Sequence, residues 1–162
     1  MKENKVLFMS QAAMIAAIYV VLCIVFAPIS YGAVQARIAE ALTILPYFTP
    51  AAIPGLFIGC IISNILGGSI LIDVIFGSLA TLIGAIGTYL LRKKSRFLAP
   101  LPPILANTLI VPFVLRYGYG EPLPIPFLMG TVGIGELAAC GAMGLVLLTV
   151  LSKYKKFIFR TA

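Results

Sequence analysis

The chain has 162 residues, of which 61% are apolar types and 10% charged types, and it carries a net charge of +7; its mean hydropathy is +1.10. A soluble domain carries about 25% charged residues, so this composition excludes a water-soluble globular protein and leaves lipid as the solvent. Each spanning helix needs ~20 apolar residues, which leaves no room for a separate soluble domain.

Helix 1 is predicted from Leu7 to Ala27, stopping at Pro28. Its apolar run is long for the core of a signal peptide, and the small-residue signal at Ser30–Gly32 is weak, so an uncleaved first helix is expected. A polar-punctuated segment, Ile29–Gln35, follows. Helix 2, Ala36–Pro46, is short for a full span and carries Arg37 and Glu40 near its start. Helix 3 runs Pro50–Leu66, and Gly67-Gly68-Ser69 makes a tight turn. Helix 4, Ile70–Leu91, ends at a basic run. Helix 5, Leu98–Tyr117, has Pro102-Pro103 in its first turn and Pro112 as a kink. The Gly- and Pro-rich stretch Gly118–Pro126 reads as a loop, and helix 6 runs Phe127–Leu151 before a basic tail.

Position decides what the positive charge means. Ten of the twelve basic residues fall in three clusters: Lys2 and Lys5; Arg92, Lys93, Lys94 and Arg96; Lys153, Lys155, Lys156 and Arg160. Each cluster abuts an apolar stretch, as topology signals do, which argues against a nucleic-acid partner. Six helices put all three clusters on one side, the cytoplasm, leaving Arg37 and Arg116 outside. The expected fold is therefore all-α: six transmembrane helices, both termini cytoplasmic, and one domain over residues 1–162.

Small residues recur at four-residue spacing, which lets helix backbones approach closely. The pairs are Ala12/Ala16 and Ala13/Ala17 on helix 1, Gly55/Gly59 on helix 3, Ala80/Gly84 on helix 4 and Gly135/Ala139 on helix 6. Most fit packing within the chain, and the helix 1 pairs are the best candidates for an external partner.

Charges inside a membrane are costly and by default suggest function. Counting ~1.5 Å per residue, Arg37, Glu40, Asn64, Asp73, Asn107, Arg116, Tyr117 and Glu136 all fall at mid-depth or outward. The inner halves of helices 3, 4 and 6 hold no ionisable residue. This is the layout of a cup open to the outside with an apolar floor. Bland alternatives remain at this stage. Arg37 and Glu40 are three apart and could pair with each other. Asp73 could cap helix 4 or pair with Arg116, and Asn107 could bond a neighbouring backbone. Glu136 has no cationic neighbour in sequence and is the strongest ligand candidate.

Chemistry is sparse. There is no histidine, which removes the commonest general base and metal ligand. Cys23, Cys60 and Cys140 lie in apolar stretches without metal spacing and read as packing residues. No phosphate-binding P-loop and no catalytic triad is present. The expectation is a binder rather than an enzyme, without cofactor or metal, that either facilitates diffusion or borrows energy from a partner. A solitary channel or facilitator would need polar stepping stones through the inner half. A membrane scaffold would pair its outer carboxylates internally and have no pocket.

The segment Pro28-Ile29-Ser30-Tyr31-Gly32-Ala33-Val34-Gln35, followed by Arg37 and Glu40-Ala41-Leu42, resembles the signature of the QueT family. Similar too are Phe48-Thr49-Pro50-Ala51-Ala52-Ile53-Pro54-Gly55, Phe76-Gly77-Ser78-Leu79-Ala80-Thr81-Leu82, Leu101-Pro102-Pro103 and Gly133-Ile134-Gly135-Glu136. The resemblance covers essentially the whole chain. It implies a substrate-binding (S) component of an energy-coupling factor (ECF) transporter in a bacterial plasma membrane, linked to uptake of queuosine precursors. It also implies that Ala12, Ala13, Ala16 and Ala17 face a transmembrane coupling subunit driven by two ATPases. The implied ligand is a 7-deazaguanine such as preQ0 or preQ1. Glu136 would accept from the N1–H and exocyclic amine, with Asn107 facing the carbonyl. Asp73 would take the ammonium of preQ1, Tyr31 and Tyr117 would stack on the ring, and Gln35 would close a lid. Arg37, Glu40, Asn64 and Arg116 complete the candidate ligand set.

Overall fold

The computed structural model describes residues 2–30 and 37–158. Six helices account for its architecture, and no strand occurs among the described residues. Helix α1 is Lys2–Val25, followed by a single turn, Ala27–Ser30. Helix α2, Ile38–Tyr47, is wound as a 3₁₀ helix. Helices α3 (Ala52–Leu66) and α4 (Leu71–Leu91) follow. Helix α5, Leu101–Phe113, continues as a π turn over Val114–Gly118. Helix α6 has three parts: Ile125–Glu136, a π segment over Leu137–Met143, and Gly144–Ile158.

Four helical stretches are long and apolar enough to cross a membrane: Lys5–Val25, Leu71–Leu91, Arg96–Gly118 and Ile125–Tyr154. Helices α2 and α3 fall short by length, so length supports four of the six expected spans. The 15 residues of α3 reach ~22 Å at 1.5 Å per residue, less than the ~30 Å of a bilayer core. The 3₁₀ winding of α2 gives its ten residues ~20 Å at about 2.0 Å each. An α-helix of that length would reach only ~15 Å.

Helix α2 is the centre of the bundle. Every residue from Ala39 to Pro46 is buried, and α1, α3, α4 and α6 all pack against it. A helix buried all round has no use for an amphipathic pattern. Its neighbours α1, α4, α5 and α6 instead turn large apolar side chains outward, among them Val25, Leu71, Leu90, Leu109 and Val146. Water would penalise that belt, and lipid tails do not.

Small residues set the helix spacing as expected. A methyl placed on Gly55 would stand 2.6 Å from the Ala12 carbonyl oxygen, and one on Gly59 would stand 3.1 Å from the Ala16 Cα. These contacts run in the same order along both helices, so α1 and α3 are parallel. On α4, Gly84 receives Pro103, whose Cα would lie 2.6 Å from an added methyl. Pro112 cannot donate a backbone hydrogen bond, and the helix shifts to π winding two residues later.

Between α1 and α6 the bundle is grooved rather than sealed. Two apolar cavities, of about 400 and about 510 Å³, lie there over the floor formed by Leu42 of α2.

Candidate functional site

The polar residues collect in the half of the bundle where α1, α3 and α5 end and α2, α4 and α6 begin. The basic clusters adjoin the opposite end. Glu40, in the first turn of α2, is the hub and is 2% exposed. Tyr19 on α1 donates its hydroxyl to Glu40 Oε1 at 2.5 Å. Thr81 on α4 donates to the same oxygen at 3.3 Å. Asn107 Nδ2 on α5 donates to Glu40 Oε2 at 3.4 Å and to Glu136 Oε1 on α6 at 3.0 Å. Cys140 Sγ, one turn beyond Glu136, donates to Glu136 Oε2 at 3.0 Å. Five helices thus meet on two carboxylates.

A second group adjoins the first. Arg37 Nη2 lies 3.5 Å from Asp73 Oδ2, and Tyr119 donates its hydroxyl to that oxygen at 2.9 Å. Asn64 Nδ2 donates to the Asp73 backbone carbonyl at 3.4 Å. Cys60 Sγ joins the two groups, accepting from Arg37 at 3.9 Å, Asn64 at 3.7 Å and Thr81 at 3.5 Å. Burial, and then the nearby Asp73 carboxylate, push the loop residue Tyr119 above the usual phenol range, against a lowering hydrogen bond from Ser69.

Arg37, Glu40, Asn107, Val111, Val132 and Glu136 enclose a cavity of about 10 Å³, room for roughly one water. In this conformation the carboxylates close on the Asn107 amide. A larger ligand enters only by parting them, and it must replace the hydrogen bonds it breaks, because a buried unpaired polar group costs about 1–3 kcal/mol.

The structure brings together Arg37, Glu40, Asn64, Asp73, Asn107 and Glu136. It resolves three alternatives left open by the sequence. The ion pair formed by Arg37 is with Asp73, while the hydrogen bonds to Glu40 come from the neutral donors Tyr19, Thr81 and Asn107. Arg116 donates to the Glu121 carbonyl at 2.7 Å and holds the loop rather than Asp73. Asn107 bonds side chains, not a neighbouring backbone. Tyr117 stands apart from the cluster: it is 74% exposed and stacks on Phe113, with centroids 6.4 Å apart. Tyr31 and Gln35 lie outside the described residues.

The four alanines of α1 divide. Ala12 and Ala16 pack on Gly55 and Gly59 of α3, whereas Ala13 and Ala17 are exposed. A helix has two sides at this spacing, and α3 takes one of them. Only Ala13 and Ala17 remain open to an external partner.

Sequence reasoning missed Tyr19, Thr81, Cys60, Cys140 and Tyr119. Cys23 and Cys60 pack in the apolar core as expected, and Cys60 and Cys140 also bond the polar cluster. A signal was present for some. Cys140 follows Glu136 by four residues and Thr81 follows Asp73 by eight, spacings that share a helix face. Tyr19 lies three residues after Ala16, on the stripe facing α3.

Oxygen and sulfur atoms of Glu40, Glu136 and Cys140 lie within 4.8 Å of one another, a spacing a metal ion could share. Asn107 and Cys140 already donate to those carboxylate oxygens. Directed N–H and S–H donors fit a hydrogen-bonding ligand more simply than a bare cation.

Comparison with known proteins agrees with the resemblance read from the motifs. The queuosine precursor transporter QueT of Lactococcus lactis subsp. cremoris (strain MG1363) is 39% identical over 85 residues. That match covers 51% of this chain and 50% of the relative, so it spans about half the relative's length. No solved structure matches. The family model described as QueT transporter matches residues 9–153, which takes in every helix of the bundle, and the chain belongs to the QueT family.

Proposed function

We propose that the chain is the substrate-binding (S) component of an ATP-driven ECF importer, and that it captures a queuosine precursor, a 7-deazaguanine such as preQ0 or preQ1, from outside the cell. The observation that carries this reading is the Asn107 amide held between the buried carboxylates of Glu40 and Glu136. A guanine-like edge presents N1–H and an exocyclic amine side by side, with a carbonyl next to them. A carboxylate accepts both donors and an amide N–H serves the carbonyl. Such a base replaces bond for bond what it displaces. The name of the Lactococcus lactis relative supports the same ligand class.

Orientation follows from charge. The three basic clusters adjoin the end opposite the site, and basic ends face the cytoplasm. The site then lies in the outer half of the membrane. The sequence has no P-loop, and the energy source in this proposal is a partner, a transmembrane coupling subunit with two ATPases. The exposed Ala13 and Ala17 face of α1, beside the apolar groove toward α6, supports that docking.

Thermal-shift titration of the purified protein with deazaguanines and a panel of vitamins tests the ligand. Stabilisation by deazaguanines alone is expected. Silence across the panel, or a response to an unrelated vitamin, overturns the proposal. Uptake by cells with and without the ATPases tests the energy source, and undiminished uptake without them would indicate a facilitator.

A further inference from the structure

Two buried acceptors in the site have no donor. Among the described residues, Asp73 Oδ1 and Asn64 Oδ1 are buried and unpartnered, and both side chains are essentially inaccessible. They are neighbours: Asn64 Nδ2 bonds the Asp73 backbone carbonyl. Both also border the bare backbone of Gly77, where an added methyl would lie 2.8 Å from Asp73 Oδ1 and 3.4 Å from Asn64 Nδ2. Native proteins rarely leave such atoms unpaired, so each one asks for a missing donor. The other Asp73 oxygen is fully engaged, by Arg37 and Tyr119.

Charge points the same way. The buried charged side chains among the described residues are Arg37, Glu40, Asp73 and Glu136. Three are carboxylates and one is a guanidinium. The Asp73 carboxylate keeps one oxygen without a donor, and an ammonium would bring both donors and positive charge to it. Geometry separates the two functions. The Glu40–Asn107–Glu136 group offers acceptors and an amide for a planar edge. The Asp73–Asn64 pair offers two acceptors beyond Arg37, which lines the cavity and pairs with Asp73.

We infer that the Asp73–Asn64 pair is a subsite for a protonated amine on the ligand, so that the protein selects the cationic aminomethyl form of a deazaguanine over neutral forms of the same ring. An ammonium has three donors. Its donors are what Asp73 Oδ1 and Asn64 Oδ1 lack. A nitrile is an acceptor only and would set its lone pair against two others. This inference rests on the deazaguanine reading above and names the substituent that the ring carries.

The test compares 7-aminomethyl-7-deazaguanine with 7-cyano-7-deazaguanine by calorimetry on the purified full-length protein. The rings are the same, so the difference reports the substituent. The aminomethyl compound is expected to bind at least about tenfold tighter, the scale of one charged hydrogen bond. Asp73→Asn should bring the two within about threefold, while Glu136→Gln should weaken both alike. Because Asp73→Asn removes the Arg37 ion pair and could fail to fold, Gly77→Ala is the second variant. It keeps every charge and pushes only the Asp73 carboxylate, and it should reduce the preference. Equal binding of the two compounds by the native protein overturns this inference alone, as does a preference that survives both folded variants. Binding of neither compound overturns the deazaguanine reading and the inference with it.

Discussion

The hydroxyl of Tyr19 on α1 lies 2.5 Å from Oε1 of Glu40 on α2, joining the helix that carries Ala13 and Ala17 to the hub of the polar site. Tyr19 is fully buried and stands one turn from Ala16, which packs on Gly59. Whatever moves Glu40 is therefore felt by α1. Tyr19→Phe keeps the packing and removes the donor. It should lower the stability of the ligand-free protein by about 1 kcal/mol, the net worth of one hydrogen bond. Thermal denaturation in detergent measures this, and an unchanged midpoint would show that the contact contributes nothing.

In the proposed site, Glu136 should bear on ligand affinity more than on folding. In Glu136→Gln the carboxylate becomes an amide with one acceptor oxygen, and the paired donors of a guanine-like edge lose a partner. Affinity for a deazaguanine should fall about tenfold or more, given roughly 1.5–3 kcal/mol for a hydrogen bond to a charged group. Unchanged affinity by calorimetry would remove Glu136 from the site.

Close approach of α1 and α3 depends on glycine. A Cβ at Gly59 would lie 3.0 Å from the Tyr19 Cβ and 3.1 Å from the Ala16 backbone, whereas nothing lies within 4 Å of one at Gly130. Gly59→Leu should destabilise by about 1–3 kcal/mol, the usual cost of overpacking, and should misplace Tyr19. Gly130→Ala should be tolerated. Comparable melting curves for the two variants would contradict the packing described.

The alanines of α1 supply an internal control. Ala12 and Ala16 face α3, and Ala13 and Ala17 face outward. Ala16→Leu should lower stability. Ala13→Leu with Ala17→Leu should leave stability and ligand affinity intact while abolishing co-purification with the proposed coupling subunit and ATPases, and with it uptake. Retained co-purification would move the partner surface elsewhere on the bundle.

Composition and punctuation determined a good deal without coordinates. Lipid-facing apolar stretches must be helical to satisfy their backbone, so boundaries follow from where prolines, glycines and basic runs interrupt them. Helix α3 was expected at Pro50–Leu66 and is Ala52–Leu66, and α4 was expected at Ile70–Leu91 and is Leu71–Leu91. The polar residues were expected in one half of the bundle because charge is costly in hydrocarbon, and Arg37, Glu40, Asn64, Asp73, Asn107 and Glu136 do meet there.

Most of the pairing could not be read along the chain, because most partners come from different helices. Arg37 and Glu40 share one turn of α2, yet Arg37 pairs with Asp73, 36 positions away, and Tyr19 reaches Glu40 across 21. Helical spacing gives the face on which a side chain lies, but rotation of one helix against the next decides what it meets. The same limit applied to Ala12 and Ala13, adjacent in sequence and about 100° apart on the helix. One is half-buried and packs on Gly55, and the other is exposed. The sequence by itself determined a helical membrane protein with its polar residues in one half. Only the packing of six helices decided which of them share a proton, a charge or an empty acceptor, because those contacts are made by distance in space and not by distance along the chain.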